Sequence, residues 1–113
     1  MRIRIAYLVV AQLIFSNAVV RAQDDDEKGM RRPDADNGLS LAQRWCVSCH
    51  FVASEQSKGS DATPSFASIA QSADFNAEKL AYFLLNPHPV MPNMSLSRDA
   101  ARDIAAYIAR LRR

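Results

Sequence analysis

Two cysteines and a histidine lie within five consecutive positions, in the stretch Cys46-Val47-Ser48-Cys49-His50. Both cysteines of the chain and one of its two histidines are used there. Two thiols three positions apart, followed at once by an imidazole, meet the requirements of covalent haem attachment. Each thiol adds to one vinyl group of the haem, and the imidazole Nε2 becomes an axial ligand of the iron. The motif therefore predicts that Cys46 and Cys49 hold a haem and that His50 binds its iron.

Other roles for the cysteine pair fit the sequence less well. A redox disulfide of the thioredoxin kind usually opens a helix after a strand, whereas a helical pattern precedes this motif. A zinc site lacks a second cysteine pair, and His88 is the only other soft ligand. A structural disulfide between Cys46 and Cys49 would close a small, strained loop.

With this motif the chain resembles the class I monohaem cytochromes c. The resemblance implies an all-α fold, in which about four helices surround one covalently bound haem c and the N- and C-terminal helices cross. It also implies a one-electron carrier, not an enzyme, that acts with redox partner proteins and is a monomer. A haem enzyme with an open iron site, and a haem subunit or sensor of a larger membrane complex, are the alternatives.

The sixth iron ligand is expected in the proline-rich loop that runs from Asn86 to Met94. In the family, a thioether from such a loop completes the iron site. The segment Met91-Pro92-Asn93 is similar to the family's methionine-ligand motif, so the resemblance favours Met91. Met94 is one alternative, and His88 is another that would give a bis-histidine haem.

Pro64 is similar to a family proline whose backbone carbonyl accepts a hydrogen bond from the haem-ligating histidine. Such a bond from Nδ1–H fixes the tautomer and leaves Nε2 free for iron. Alternatively, Pro64 is an ordinary proline at a helix start. The apolar side chains expected to line the haem pocket are Phe66, Ile69, Leu80, Phe83 and Leu84.

Helical patterns surround these residues, and no convincing strand pattern is present. The first helix is predicted to begin at a cap on Asp36 or Asn37 and to end near Cys46. Its predicted inward face consists of Gly38, Ala42, Trp45 and Cys46, with Leu41 alongside. Gly38 would allow the two terminal helices to approach closely, or would merely start the helix.

Three further helices are predicted after the motif. A short one is predicted within Pro64 to Ala70, and another from Asn76 to Leu85, which ends before Pro87. The last begins after a cap on Ser97. Its apolar stripe consists of Ala100, Ile104, Tyr107, Ile108 and Leu111.

Residues 1–22 resemble a secretory signal peptide, with a basic start, an apolar run over residues 5–15 and a polar end. Cleavage is expected after Ala22, with Ser16-Asn17-Ala18 as an earlier site. The apolar run is shorter than the span of about 20 residues that crosses a bilayer, although an uncleaved anchor is an alternative that would place the protein at a membrane. The expected location is the bacterial periplasm, since haem is attached to such proteins outside the cytoplasm.

Residues 23–36 are predicted to form a flexible polar tail, and residues 37–113 the cytochrome c domain. The acidic run over residues 24–27 could meet a basic partner or a cation, but a solvated tail is the simpler interpretation. The full chain has 14 basic and 12 acidic residues. Without Arg2, Arg4 and Arg21 of the signal, a slight acidic excess remains, so no nucleic-acid partner is expected.

Overall fold

The computed structural model describes residues 31–86 and 89–113, which belong to one compact unit, Arg31–Arg113. The described residues form helices and no strand, which confirms the predicted all-α class. The predicted signal peptide, the acidic run and His88 lie outside the described residues. None of the helices described is long and apolar enough to cross a bilayer. The helices are α1 (Ala35–Trp45), α2 (Phe66–Gln71), α3 (Ala77–Leu85) and α4 (Arg98–Arg110).

The start of α1 differs from its prediction. Asp34 is the N-cap residue, and its side chain accepts hydrogen bonds from the backbone N–H groups of Asp36 and Asn37. These are two of the donors that the first turn of a helix leaves without intrahelical partners. The predicted cap on Asp36 or Asn37 is therefore wrong, and the helix begins earlier. The caps of the other three helices are Ser65, Asn76 and Ser97, whose side chains accept from Ser68, Lys79 and Ala100.

Helices α1 and α4 are in contact at Gly38. A Cβ atom at this position would overlap the backbone carbonyl of Asp103 in α4. Only glycine allows the two backbones to come this close. The structure therefore gives Gly38 a packing role, and this confirms that the terminal helices meet.

The inward face of α1 is narrower than predicted. Ala42 and Cys46 are buried, but Trp45 is 47% exposed. Trp45 is the last residue of the helix, while the close contact with α4 lies at Gly38 near its start. The buried residues Gly38, Ala42 and Cys46 are spaced four residues apart, and Trp45 lies at the edge of the face that they form, where its large side chain reaches solvent.

Asp103 is a fully buried carboxylate on α4. It accepts hydrogen bonds from Nη2 of Arg31 at 2.7 Å, the backbone N–H of Asp34 at 2.7 Å and Nδ2 of Asn37 at 2.6 Å. Burial by itself raises the pKa of Asp103, but these hydrogen bonds outweigh it and the pKa lies below its usual range. The residues just before α1 are thereby fastened to the last helix.

Candidate haem site

The Cys46–His50 motif extends α1 by one irregular turn. Cys46 is the C-cap residue, and its N–H donates to the carbonyl of Ala42. The N–H groups of Cys49 and His50 both donate to the carbonyl of Cys46, at 3.2 and 2.9 Å. Because α1 packs against α4, the turn that carries the two cysteines and the histidine continues from a helix that is held in place.

The side chain of His50 is held by the chain beyond the motif. Its Nδ1 lies 2.7 Å from the backbone carbonyl oxygen of Pro64. A carbonyl oxygen can only accept, so Nδ1 must carry the proton, and Nε2 then keeps the lone pair that a metal needs. The structure thus brings His50 and Pro64 together in the arrangement that suits an iron ligand.

Phe66 lies beside this histidine. Its ring centroid is 5.6 Å from that of His50 and 6.3 Å from that of Tyr107 on α4. Phe66 is also buried, so it joins the histidine to the hydrophobic core. Among the other predicted pocket residues, Leu84 is buried, Ile69 and Leu80 are partly buried against the core, and Phe83 is 38% exposed.

The methionine candidates lie in the loop between α3 and α4. Met91 is partly buried and packs against the hydrophobic core. Met94 is also half-buried. Asn93, between them, accepts a hydrogen bond through Oδ1 from the N–H of Ser95, whose φ of 51° marks a tight turn. Met94 lies inside this turn, whereas Met91 precedes it.

Two residues that the sequence patterns did not identify as part of the site hold the loop after the motif. Tyr107 donates from its hydroxyl to the carbonyl oxygen of Val52 at 2.9 Å. The side chain of Gln56 bonds the backbone of His50 and Val52. Tyr107 was predicted as core, and its polar hydroxyl was the available signal because a buried hydroxyl requires a partner. Gln56 lies in a segment without periodicity and gave no such signal.

The residues present fit a covalently attached haem. Two thiols on one turn can form thioether bonds, and the imidazole beside them has its Nε2 free for iron. Buried apolar side chains behind the histidine provide a surface that excludes water. A haem adds a large apolar surface, which suits a domain too small to bury a large core alone.

Comparison with known proteins agrees with this chemistry. A family model described as cytochrome c oxidase, cbb3-type, subunit III matches residues 33–108. Cytochrome c-552 of Bradyrhizobium diazoefficiens is 60% identical over 79 residues, which cover 70% of this chain and 76% of that protein. No solved structure gives a significant match. The chain therefore belongs to the cytochrome c family, whose members carry electrons on a covalently bound haem c.

Proposed function

We propose that the protein is an exported one-electron carrier whose haem iron is bound by His50 and Met91. It would act in the periplasm, as a monomer, between redox partner proteins of a respiratory or oxidative chain. The observation that carries the proposal is the 2.7 Å contact between Nδ1 of His50 and the carbonyl of Pro64. It holds the imidazole in one tautomer and in one orientation, as a permanent iron ligand requires.

Met91 is favoured over Met94 by its packing. Its side chain lies against the hydrophobic core, which also holds Phe66 behind His50. Met91 also immediately precedes Pro92, which restricts the backbone next to the ligand. Met94 lies within the turn that the hydrogen bond between Asn93 and Ser95 closes. A packing role at the edge of the loop suits its flexible side chain.

The haem, when bound, supplies a one-electron couple between ferric and ferrous iron. A neutral thioether from Met91 would favour the ferrous form and raise the reduction potential. With both His50 and Met91 as ligands, no coordination position would stay open for oxygen or peroxide. The hydrogen-bonded turn around His50 keeps one ligand in place, so little has to move when an electron is gained or lost. These features suit electron transfer better than catalysis.

The near-infrared spectrum of the ferric protein tests the ligand assignment. A methionine–iron charge-transfer band is expected in the parent protein. Met91→Ala should abolish this band, while Met94→Ala, the matched control, should retain it. Loss of the band in Met94→Ala alone would assign the ligand to Met94, and a parent protein without the band would refute thioether ligation.

A second candidate function follows from the description of the matching family model, which names a subunit of a cbb3-type oxidase. In that case the protein would be a haem subunit of a larger membrane complex. Gentle detergent extraction followed by size-exclusion chromatography, monitored at the haem absorbance, separates the two. A carrier elutes as a small monomer, whereas a subunit elutes with a large assembly.

A further inference from the structure

Gln56 lies half-buried in the loop that follows the haem-attachment turn. Its Oε1 accepts a hydrogen bond from the N–H of Val52 at 2.9 Å. Its Nε2, which carries two N–H donors, faces three backbone carbonyl oxygens: that of His50 at 2.8 Å, that of Val47 at 3.3 Å and that of Lys58. The oxygen of the amide thus faces an N–H and its nitrogen faces carbonyls, which fixes its orientation.

The side-chain amide of Gln56 provides hydrogen-bond donors to backbone carbonyls of the Cys46–His50 turn. The carbonyl groups of this turn lie beyond the end of α1 at Trp45, so no helical N–H group is available to them, and a shielded carbonyl without a partner is destabilising. The carbonyl of Cys49 receives the N–H of Ser60 at 3.1 Å and the hydroxyl of Thr63. The carbonyls of Val47 and His50 receive Gln56 instead. The loop therefore provides donors for the carbonyls of the Cys46–His50 turn from the side chains of Thr63 and Gln56 and from the backbone of Ser60.

The backbone conformation at Gly59 determines the path of the loop around Gln56. Gly59 has a φ of 145°, in a region that residues with a side chain rarely adopt. A Cβ atom on Gly59 would come within 2.9 Å of the ring of Phe51. The chain can therefore fold back over Phe51, and this brings the carbonyl of Lys58 to Gln56.

We propose that Gln56 is a positioning residue for the axial histidine. Three bonds fix His50: its N–H to Cys46, its Nδ1 to Pro64, and its carbonyl to Gln56. The first bond holds the backbone N–H of His50 and the second holds its imidazole ring. The third holds its carbonyl, so the peptide bond between His50 and Phe51 cannot rotate freely. Gln56 thus controls the direction of Nε2 through the backbone of His50. The inference rests on His50 being an iron ligand, as in the proposed function.

Two substitutions separate the bonds of Gln56. Gln56→Glu keeps an oxygen for the N–H of Val52 but removes both donors to the carbonyls. Gln56→Leu removes all of the bonds. The readout is the set of hyperfine-shifted haem methyl and His50 proton resonances of the ferric protein, which report the orientation of the axial imidazole. Both variants should show a changed shift pattern.

Amide hydrogen exchange provides an independent readout on the same samples. Exchange at Val52 should become about tenfold faster in Gln56→Leu, the factor expected for the loss of one hydrogen bond. It should stay close to the parent rate in Gln56→Glu, which retains the acceptor. This difference depends on the backbone bond alone and does not require electron transfer.

Lowering the pH should partly restore the parent shift pattern in the Gln56→Glu variant itself. Protonation of the introduced carboxylate in Gln56→Glu restores one donor that can reach the carbonyl of His50. Its shift pattern should therefore return towards that of the parent as the pH falls. Gln71→Glu is the matched control, because Nε2 of Gln71 also donates to a backbone carbonyl, that of Leu111 at 3.1 Å, away from the motif. The control should leave the haem resonances unchanged.

A shift pattern equal to that of the parent in Gln56→Glu would overturn the proposal, even if the variant is less stable, because Gln56 would then only stabilise the loop. If Gln56→Leu does not accumulate, the shift pattern of Gln56→Glu at neutral pH, compared with that of Gln71→Glu, decides. The near-infrared band of the parent protein tests Met91 separately. If the band is absent, the proposed ligation by Met91 is refuted, but the proton shifts of His50 still test the role of Gln56.

Discussion

The hydroxyl of Tyr107 donates to the carbonyl oxygen of Val52 at 2.9 Å, and it thereby joins the last helix to the loop that follows the Cys46–His50 turn. The N–H of the same Val52 donates to Gln56. The backbone N–H and the backbone carbonyl of Val52, a buried residue, are therefore both hydrogen-bonded to side chains.

Tyr107→Phe should lower the free energy of unfolding by about 1–1.5 kcal/mol, because it leaves the carbonyl of Val52 without a donor. Urea denaturation of the haem-loaded protein measures this. Tyr82→Phe is the matched control, since Tyr82 is 71% exposed and its loss should leave the midpoint unchanged. Equal midpoints for Tyr107→Phe and the parent would contradict the prediction.

Gly38→Ala should destabilise the protein by about 1–3 kcal/mol, the range for overpacking of a close contact. The new methyl group would overlap the carbonyl of Asp103, and α1 and α4 would have to separate. Alanine is a better helix former than glycine by about 1 kcal/mol. A loss of stability would therefore show that the overlap with Asp103 outweighs the gain in helix propensity. Thermal unfolding measures it, with Gln43→Ala on the exposed side of α1 as the control. A rise in the melting temperature would show that the helices can adjust.

Asp103→Asn should lower stability by about 1–3 kcal/mol at neutral pH, because an amide is a poorer acceptor for three donors. The pKa of Asp103 is lower in the folded protein than in the unfolded chain, where it is about 3.9. The folded state therefore gains stability above about pH 4 and loses it as the pH falls through the lower folded value. The difference between parent and variant should shrink in acid. Urea midpoints at a series of pH values test this, and a constant difference would show that the charge is unimportant.

Asp36→Asn should have a much smaller effect, although Asp36 and Arg110 are only 2.6 Å apart. The side chain of Asp36 is 86% exposed and that of Arg110 is 47% exposed. Solvent and salt screen such pairs, which contribute less than about 1 kcal/mol. The difference from the parent should be below about 1 kcal/mol at low salt and should shrink further at high salt, as denaturation at the two ionic strengths can measure. A loss as large as that of Asp103→Asn would show that exposure is a poor guide here.

The sequence predicted the parts of this structure that depend on local patterns. Cys46, Cys49 and His50 form a motif in consecutive positions, and caps such as Asn76 and Ser97 precede clear helical periodicity. The meeting of the terminal helices at Gly38 came from the family resemblance, since periodicity alone does not identify the partner of a helix.

Asp103 and Gln56 were missed for different reasons. Asp103 lies within the apolar stripe of the last helix, three residues after Ala100 and four before Tyr107. A charge on that face requires buried donors, so the pattern did contain a signal. The role of Gln56 depends on the path of an irregular loop, which brings together the backbone of Val47, His50 and Lys58. No spacing rule predicts such a path.

The contact between the start of α1 and the middle of α4 ties the Cys46–His50 turn to a distant part of the chain. The backbone of Asp34 and the carboxylate of Asp103 are 69 residues apart, and contacts of such high sequence separation form slowly during folding. The Cys46–His50 turn lies within the segment that this contact closes. Until α4 packs against α1, the two cysteines therefore lie at the end of a helix that no other helix holds. Docking of the last helix is the folding step that fixes the motif in place.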